Sequence, residues 1–148
     1  MTPNELQTFI RTKIPAAEFM QVAVTRAEPD MIEVSAPLAP NSNVHGTLFG
    51  GSSAAIGLVA AWSLVYQRML LDRIDATLVV SRHSMTYLRP VGGSFSALAQ
   101  FADAQAWPHF TAALSENGKG RVCAAVKVLY NGKEAARLDA EFAASARK

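Results

Sequence analysis

The stretch NSNVHGTLFGGSSAAIGLVAAWSLVYQRM, Asn41–Met69, decides how the rest of the chain is read. It begins as a polar loop punctuated by Gly46, Gly50 and Gly51, then turns apolar, with no carboxylate before Asp72. Read as one helix from Thr47 to about Leu71, it is about 37 Å long at ~1.5 Å per residue. Ala54, Ile56, Leu58, Val59, Trp62, Leu64 and Val65 fall on every side of it. A helix that is apolar all round is buried, in a protein core or in a bilayer. The apolar run Ala54–Val65 holds only about 12 residues, broken by Gly57 and Ser63, whereas a spanning helix needs about 20. A protein core is therefore expected.

The flanking sequence supplies the wrapping. Thr77–Leu88 reads as a strand with mixed faces and a bulge near Ser81–Ser84. Upstream, Met20, Val22 and Val24 alternate through Glu18–Arg26, and Ile32, Val34 and Ala36 resume the pattern after Glu28-Pro29-Asp30. Two period-two runs around a Pro-Asp turn predict a hairpin. Downstream, Phe95, Ala97, Ala99 and Phe101 alternate in a fourth strand, reached through Arg89-Pro90-Val91-Gly92-Gly93. Val122–Tyr130 and Leu138–Ala144 form a last pair joined by Asn131-Gly132, a type I′ turn signal.

Two further helices are expected. Thr2-Pro3-Asn4-Glu5 is a capping box with proline at the first helical position, and Pro15 ends that helix. Pro108–Glu116 carries an apolar face of Phe110, Ala113 and Leu114 and ends at Asn117-Gly118. Six half-apolar strands and one wholly apolar helix predict an α+β fold, an antiparallel sheet curled around the helix. The outer face holds Cys123, Ala125 and Leu129, so part of it is expected to lie under another subunit.

The 148 residues suit one domain, 1–148. A net charge of +2 with scattered basic residues argues against nucleic acid or an anionic membrane as partner. The single cysteine, Cys123, excludes an internal disulfide and fits a reducing compartment. The opening MTPNELQTF has no basic segment followed by an apolar one, so a cytoplasmic location is expected.

The order helix, two strands, long helix, two strands, short helix, two strands resembles the hotdog fold. The motif Asn41…His45-Gly46-Thr47-Leu48-Phe49-Gly50-Gly51 is similar to the helix mouth of the hotdog acyl-CoA thioesterases. GTLFGGS, followed by Ala60-Ala61-Trp62 and by Met85-Thr86-Tyr87-Leu88-Arg89-Pro90-Val91, most resembles a small thioesterase branch, sometimes fused to an acetyltransferase domain. The resemblance covers nearly the whole chain. It implies a homodimer or dimer of dimers with sheets joined edge to edge. Each active site would lie between one helix mouth and the neighbouring subunit. It implies an acyl thioester substrate and no cofactor beyond the CoA that the substrate carries.

Thioester hydrolysis needs an oxyanion donor, and backbone N–H groups at a helix N-terminus are unpaired and sit at the positive end of its dipole. Gly50 and Gly51 leave such groups uncovered, and the resemblance makes Gly51, with Gly50, the donor; a tight turn or close packing also explains them. The superfamily's helix carboxylate is missing. Counting from Gly51 its position is Leu58, and in the other register Ala54. His45 and His83 are the titratable candidates for positioning water, and Ser53 in the first helical turn is a further polar candidate. A structural role for each is the alternative. Asn43, Phe49, Leu58, Ser81 and Arg89 are the candidates for substrate contact, with Ile56, Leu58 and Trp62 beside the acyl chain. Arg82, Arg89 and Lys119 could meet CoA phosphates. His45, His83 and His109 show no metal-ligand spacing. Gly46-x4-Gly51-Ser52 lacks the P-loop lysine. The alternatives to hydrolysis are an acyl-CoA or acyl-carrier binding module without catalysis, or a hotdog hydratase or dehydratase.

Overall fold

The computed structural model describes residues 1–147. Helix α1 (Pro3–Lys13) begins at the capping box, where Thr2 Oγ1 accepts a hydrogen bond from the Glu5 N–H at 3.2 Å. Leu6 and Ile10 are its buried face. Pro15 ends α1 as expected but also opens a second short helix, α2 (Pro15–Phe19), because a proline costs no hydrogen bond at a first helical position. The strand expected from Glu18 is thereby delayed. Gln21, at φ +58°, redirects the chain, and β1 (Ala23–Glu28) pairs with β2 (Met31–Ala36) across the Pro29-Asp30 turn.

The central helix, α3 (Gly50–Leu71), starts three residues later than its sequence suggests. Thr47 and Leu48 are claimed by the preceding loop: the Thr47 carbonyl accepts from the Asn43 N–H, and the Leu48 N–H donates to the Val91 carbonyl. After α3 come β3 (Ala76–Tyr87), β4 (Phe95–Phe101), α4 (Ala106–Asn117), β5 (Lys119–Tyr130) and β6 (Lys133–Ala146). The β5–β6 turn has φ of +51° at Asn131 and +75° at Gly132, the positive pair that a type I′ turn requires.

The six strands form one antiparallel sheet in the order β1-β2-β4-β5-β6-β3. Its concave face closes on α3, whose Ile56, Ala60, Ala61, Leu64 and Val65 are wholly buried with Ile32, Val34, Ala97 and Ala99. The helix lies close to β6: a Cβ on Gly57 would stand 3.1 Å from Leu138 Cδ2. By length and composition α3 could cross a membrane, yet here it is the centre of the core. The order and wrapping are those of the hotdog fold.

Strand β3 is the exception to this burial. It pairs with β6 on one side only and is one of the sheet's two edges, β1 being the other. Its register shifts between Val80 and Arg82, the bulge expected near Ser81. Val79 is 55% exposed and Tyr87 56%.

Candidate active site at the mouth of the central helix

The loop before α3 is held by two asparagines. Asn41 is buried, and its Nδ2 donates to the carbonyls of Met20 and Pro37 at 3.0 and 2.9 Å. Its own carbonyl accepts the Phe49 N–H at 2.8 Å. Asn43 Oδ1 accepts from the His45 and Thr47 N–H groups, while its Nδ2 donates to Thr47 Oγ1. This Asx-type clasp shapes the turn through Gly46, at φ +75°. The Asn43 amide, expected at the substrate, is thus engaged inside its own loop.

The loop delivers Phe49 as N-cap of α3 in extended conformation, φ −66° and ψ 130°, with no side-chain cap. The Ser53 N–H closes the first turn onto the Phe49 carbonyl at 3.0 Å. Among the described residues nothing accepts from the N–H groups of Gly50, Gly51 and Ser52. Three donors at the positive end of a 22-residue helix make a concentrated site for negative charge.

The glycines are needed for a reason beyond open access. A Cβ on Gly50 would stand 3.1 Å from Tyr87 Oη, and one on Gly51 would stand 2.5 Å from Phe49 Cε2. Two aromatic rings therefore flank the helix start, and Tyr87 Oη donates to the Gly50 carbonyl at 2.8 Å. Tyr87, with Leu48, Gly50, Gly51 and residues Leu88–Pro90, surrounds a cleft of about 520 Å³. No Asp, Glu or His lines it.

The remaining candidates scatter. His45 is exposed at the loop tip and is held only through its backbone N–H. Ser53 is 2% exposed, and its hydroxyl has no partner, so it lies below the cleft rather than in it. Ser81 forms the β3 bulge, and its hydroxyl donates to the carbonyl and carboxylate of Glu141 at 3.0 and 2.9 Å. That bond anchors the bulge. His83 is exposed on β3 opposite Ala140, on the strand face it shares with Met85 and Tyr87. Arg89 borders the cleft without an ion pair among the described residues. Arg82 instead meets Glu141 at 3.6 Å on the outer face.

Leu58 stands apart from the cleft, in an apolar groove of about 360 Å³ with Trp62, Val80 and Phe142. Ile56 is wholly buried in the core and does not reach it, which corrects its expected place beside an acyl chain. Cys123 faces outward, where burial and then the Glu141 carboxylate push its thiol pKa up. Tyr87 is the residue sequence reasoning passed over as an individual. Its signal was present in the Tyr87-Leu88-Arg89-Pro90 string, but only the three-dimensional contact with Gly50 explains it.

Comparison with known structures agrees with the fold. A protein of unknown function from Chlorobaculum tepidum superposes with a TM-score of 0.91 at 24% identity, over 99% of this chain and 98% of that one. A "putative thioesterase" from Shewanella oneidensis is 30% identical, with a TM-score of 0.84 over 98% and 97%. A protein of unknown function from Pseudomonas aeruginosa, described as a "probable thioesterase", gives 0.82 at 19% identity over 98% and 97%. The family model described as "Putative thioesterase (yiiD_Cterm)" matches residues 3–146, and the chain belongs to that family.

Proposed function

We propose that this chain is a cytoplasmic, homodimeric acyl-CoA thioesterase with the Gly51 N–H, beside Gly50, as oxyanion donor. The observation that carries the reading is the uncapped start of α3, where Gly50 and Gly51, with free N–H donors, line a cleft. Water adds to the thioester carbonyl, its oxygen takes the negative charge at these donors, and collapse breaks the C–S bond to release acid and thiol. Such a preorganised donor is worth about 10²–10³ in kcat. Phe49 and Tyr87 frame the thioester, and Arg89 meets the CoA phosphates. His45, or a group of the second copy near Ser81 and His83, positions the water. No cofactor is required beyond the CoA that the substrate brings.

One observation favours a second reading. The cleft of a single copy holds no carboxylate or imidazole, which suits an acyl-CoA binding module without hydrolysis.

The experiment is a panel of acyl-CoAs with thiol release as readout, on the native protein, Gly51→Pro and Gly51→Ala. Proline removes one N–H in the first helical turn, but its Cβ also pushes on the Phe49 ring, so Gly51→Ala, which moves the ring and keeps the N–H, is the control. The expected result is turnover by the native protein and about 10²–10³-fold lower kcat in Gly51→Pro than in Gly51→Ala. Turnover equal in the two variants would remove Gly51 as donor. Saturable binding without thiol release would establish the binding module instead.

A further inference from the structure

We propose that Trp62 is the stop that sets the longest acyl chain the site accepts, and that Phe9 of α1 is the positioning residue that holds it. This rests on the acyl-thioester reading above and names the substrate class within it. Gly51, Ala54, Ala55, Leu58 and Trp62 are spaced three, four, seven and eleven residues from the first, so they share one face of α3. That stripe is only partly covered, whereas Ile56, Ala60 and Leu64 beside it are wholly buried. It runs from the glycine mouth to the apolar groove.

Strand β3 follows the same course as the opposite wall. Its Tyr87 end touches Gly50, and its Leu78–Val80 end lines the groove with Leu58 and Trp62. Between the two ends the helix offers only Ala54 and Ala55, which leave room. A chain entering at the thioester thus meets small side chains first, then Leu58, then an indole. From Gly51 to Trp62 is about 16 Å along the helix at ~1.5 Å per residue. No residue lining the groove is titratable, so its occupant is a hydrocarbon, and the length suits a medium chain.

The indole is not free to swing aside. It stacks on Tyr66 at 4.7 Å and 10°, and Tyr66 stacks on Phe9 at 5.1 Å and 9°. Phe9 also lies parallel to Trp62 at 6.4 Å. Phe9 is carried by α1, which Leu6 and Ile10 fix in the core. Stacked aromatic pairs add to the stability that burial alone provides. The indole that the chain would reach after Leu58 is therefore a ring braced from a second helix.

The test measures kcat/KM over acyl-CoAs from acetyl to palmitoyl for the native protein, Trp62→Ala, Trp62→Phe and Phe9→Ala. Binding of non-hydrolysable thioether analogues of the same chains is measured in parallel. In the native protein kcat/KM should rise about fourfold per methylene up to a medium chain, then fall. Trp62→Ala should move the optimum to longer chains and raise the palmitoyl-to-octanoyl ratio at least tenfold. Phe9→Ala should shift it the same way by less, and Trp62→Phe, which keeps a stacked ring, should stay near native. Hydrolysis with the same chain-length profile in all four proteins overturns this proposal and leaves the thioesterase reading standing. Chain-length-dependent binding that Trp62→Ala shifts, without hydrolysis by any of them, overturns that reading and supports this one. Absence of both binding and hydrolysis overturns the two together.

Discussion

Ser53 isolates the difference between a polar residue near a site and one in it. Its hydroxyl sits one turn into α3, 2% exposed and without a hydrogen-bond partner. A buried hydroxyl left unpaired costs about 1–3 kcal/mol, and alanine also suits a helix better than serine. Ser53→Ala should therefore stabilise the protein by about 1 kcal/mol, a Tm rise of about 3 °C, with thiol release unchanged. Lost turnover at unchanged Tm would mean that substrate or a working water meets this hydroxyl. The sequence makes Gly51 the donor and Ser53 a further polar candidate, two residues apart at the same helix start. The sequence carries the period of the helix but not its rotation against the sheet, which puts Gly51 at the cleft and Ser53 beneath it. Asn43 and Ser81 likewise have hydrogen-bond partners that the sequence does not display. Their partners, Thr47 and Glu141, become apparent only once the loop and the bulge are built.

At the scale of elements, the local signals were the reliable ones. The capping box at Thr2, the Asn131-Gly132 turn and the alternation in β5 and β6 each specify structure within a few residues, and each formed as read. The late start of α3 was hidden because a tertiary bond decides it: Leu48 is drawn from the helix by the Val91 carbonyl, far along the chain. Gly57 belongs to the same class. An interior glycine weakens a helix by about 1 kcal/mol relative to alanine, so periodicity gives no reason for it. The reason is Leu138, 3.1 Å from where its Cβ would stand. Gly57→Val should push α3 off β6 and cost about 1–3 kcal/mol through overpacking. A urea titration should show a lower midpoint at unchanged slope. An unchanged midpoint would mean that α3 can shift freely against the sheet.

The whole molecule poses the question of its β3 edge. Strand β3 is 12 residues long, pairs on one side only, and leaves Val79, Val80 and Tyr87 exposed. A long apolar edge is a template for pairing with another strand, and antiparallel pairing of β3 with itself in a second copy would satisfy it by two-fold symmetry. The same strand forms one wall of both the cleft and the groove, so the proposed dimer completes the site as well as the sheet. The native protein should then sediment at twice the 15.9 kDa chain mass. Val79→Lys places a charge on the pairing edge and should yield monomer at low concentration. Because Val79 also borders the groove, loss of activity alone would not separate dimer disruption from groove damage. Concentration does separate them. If the second copy completes the site, thiol release per chain by Val79→Lys should climb with protein concentration, in step with the dimer fraction from sedimentation. A monomeric variant with native turnover would show that one copy is sufficient, and the water would then have to be positioned by its own loop, with His45 as the first residue to replace.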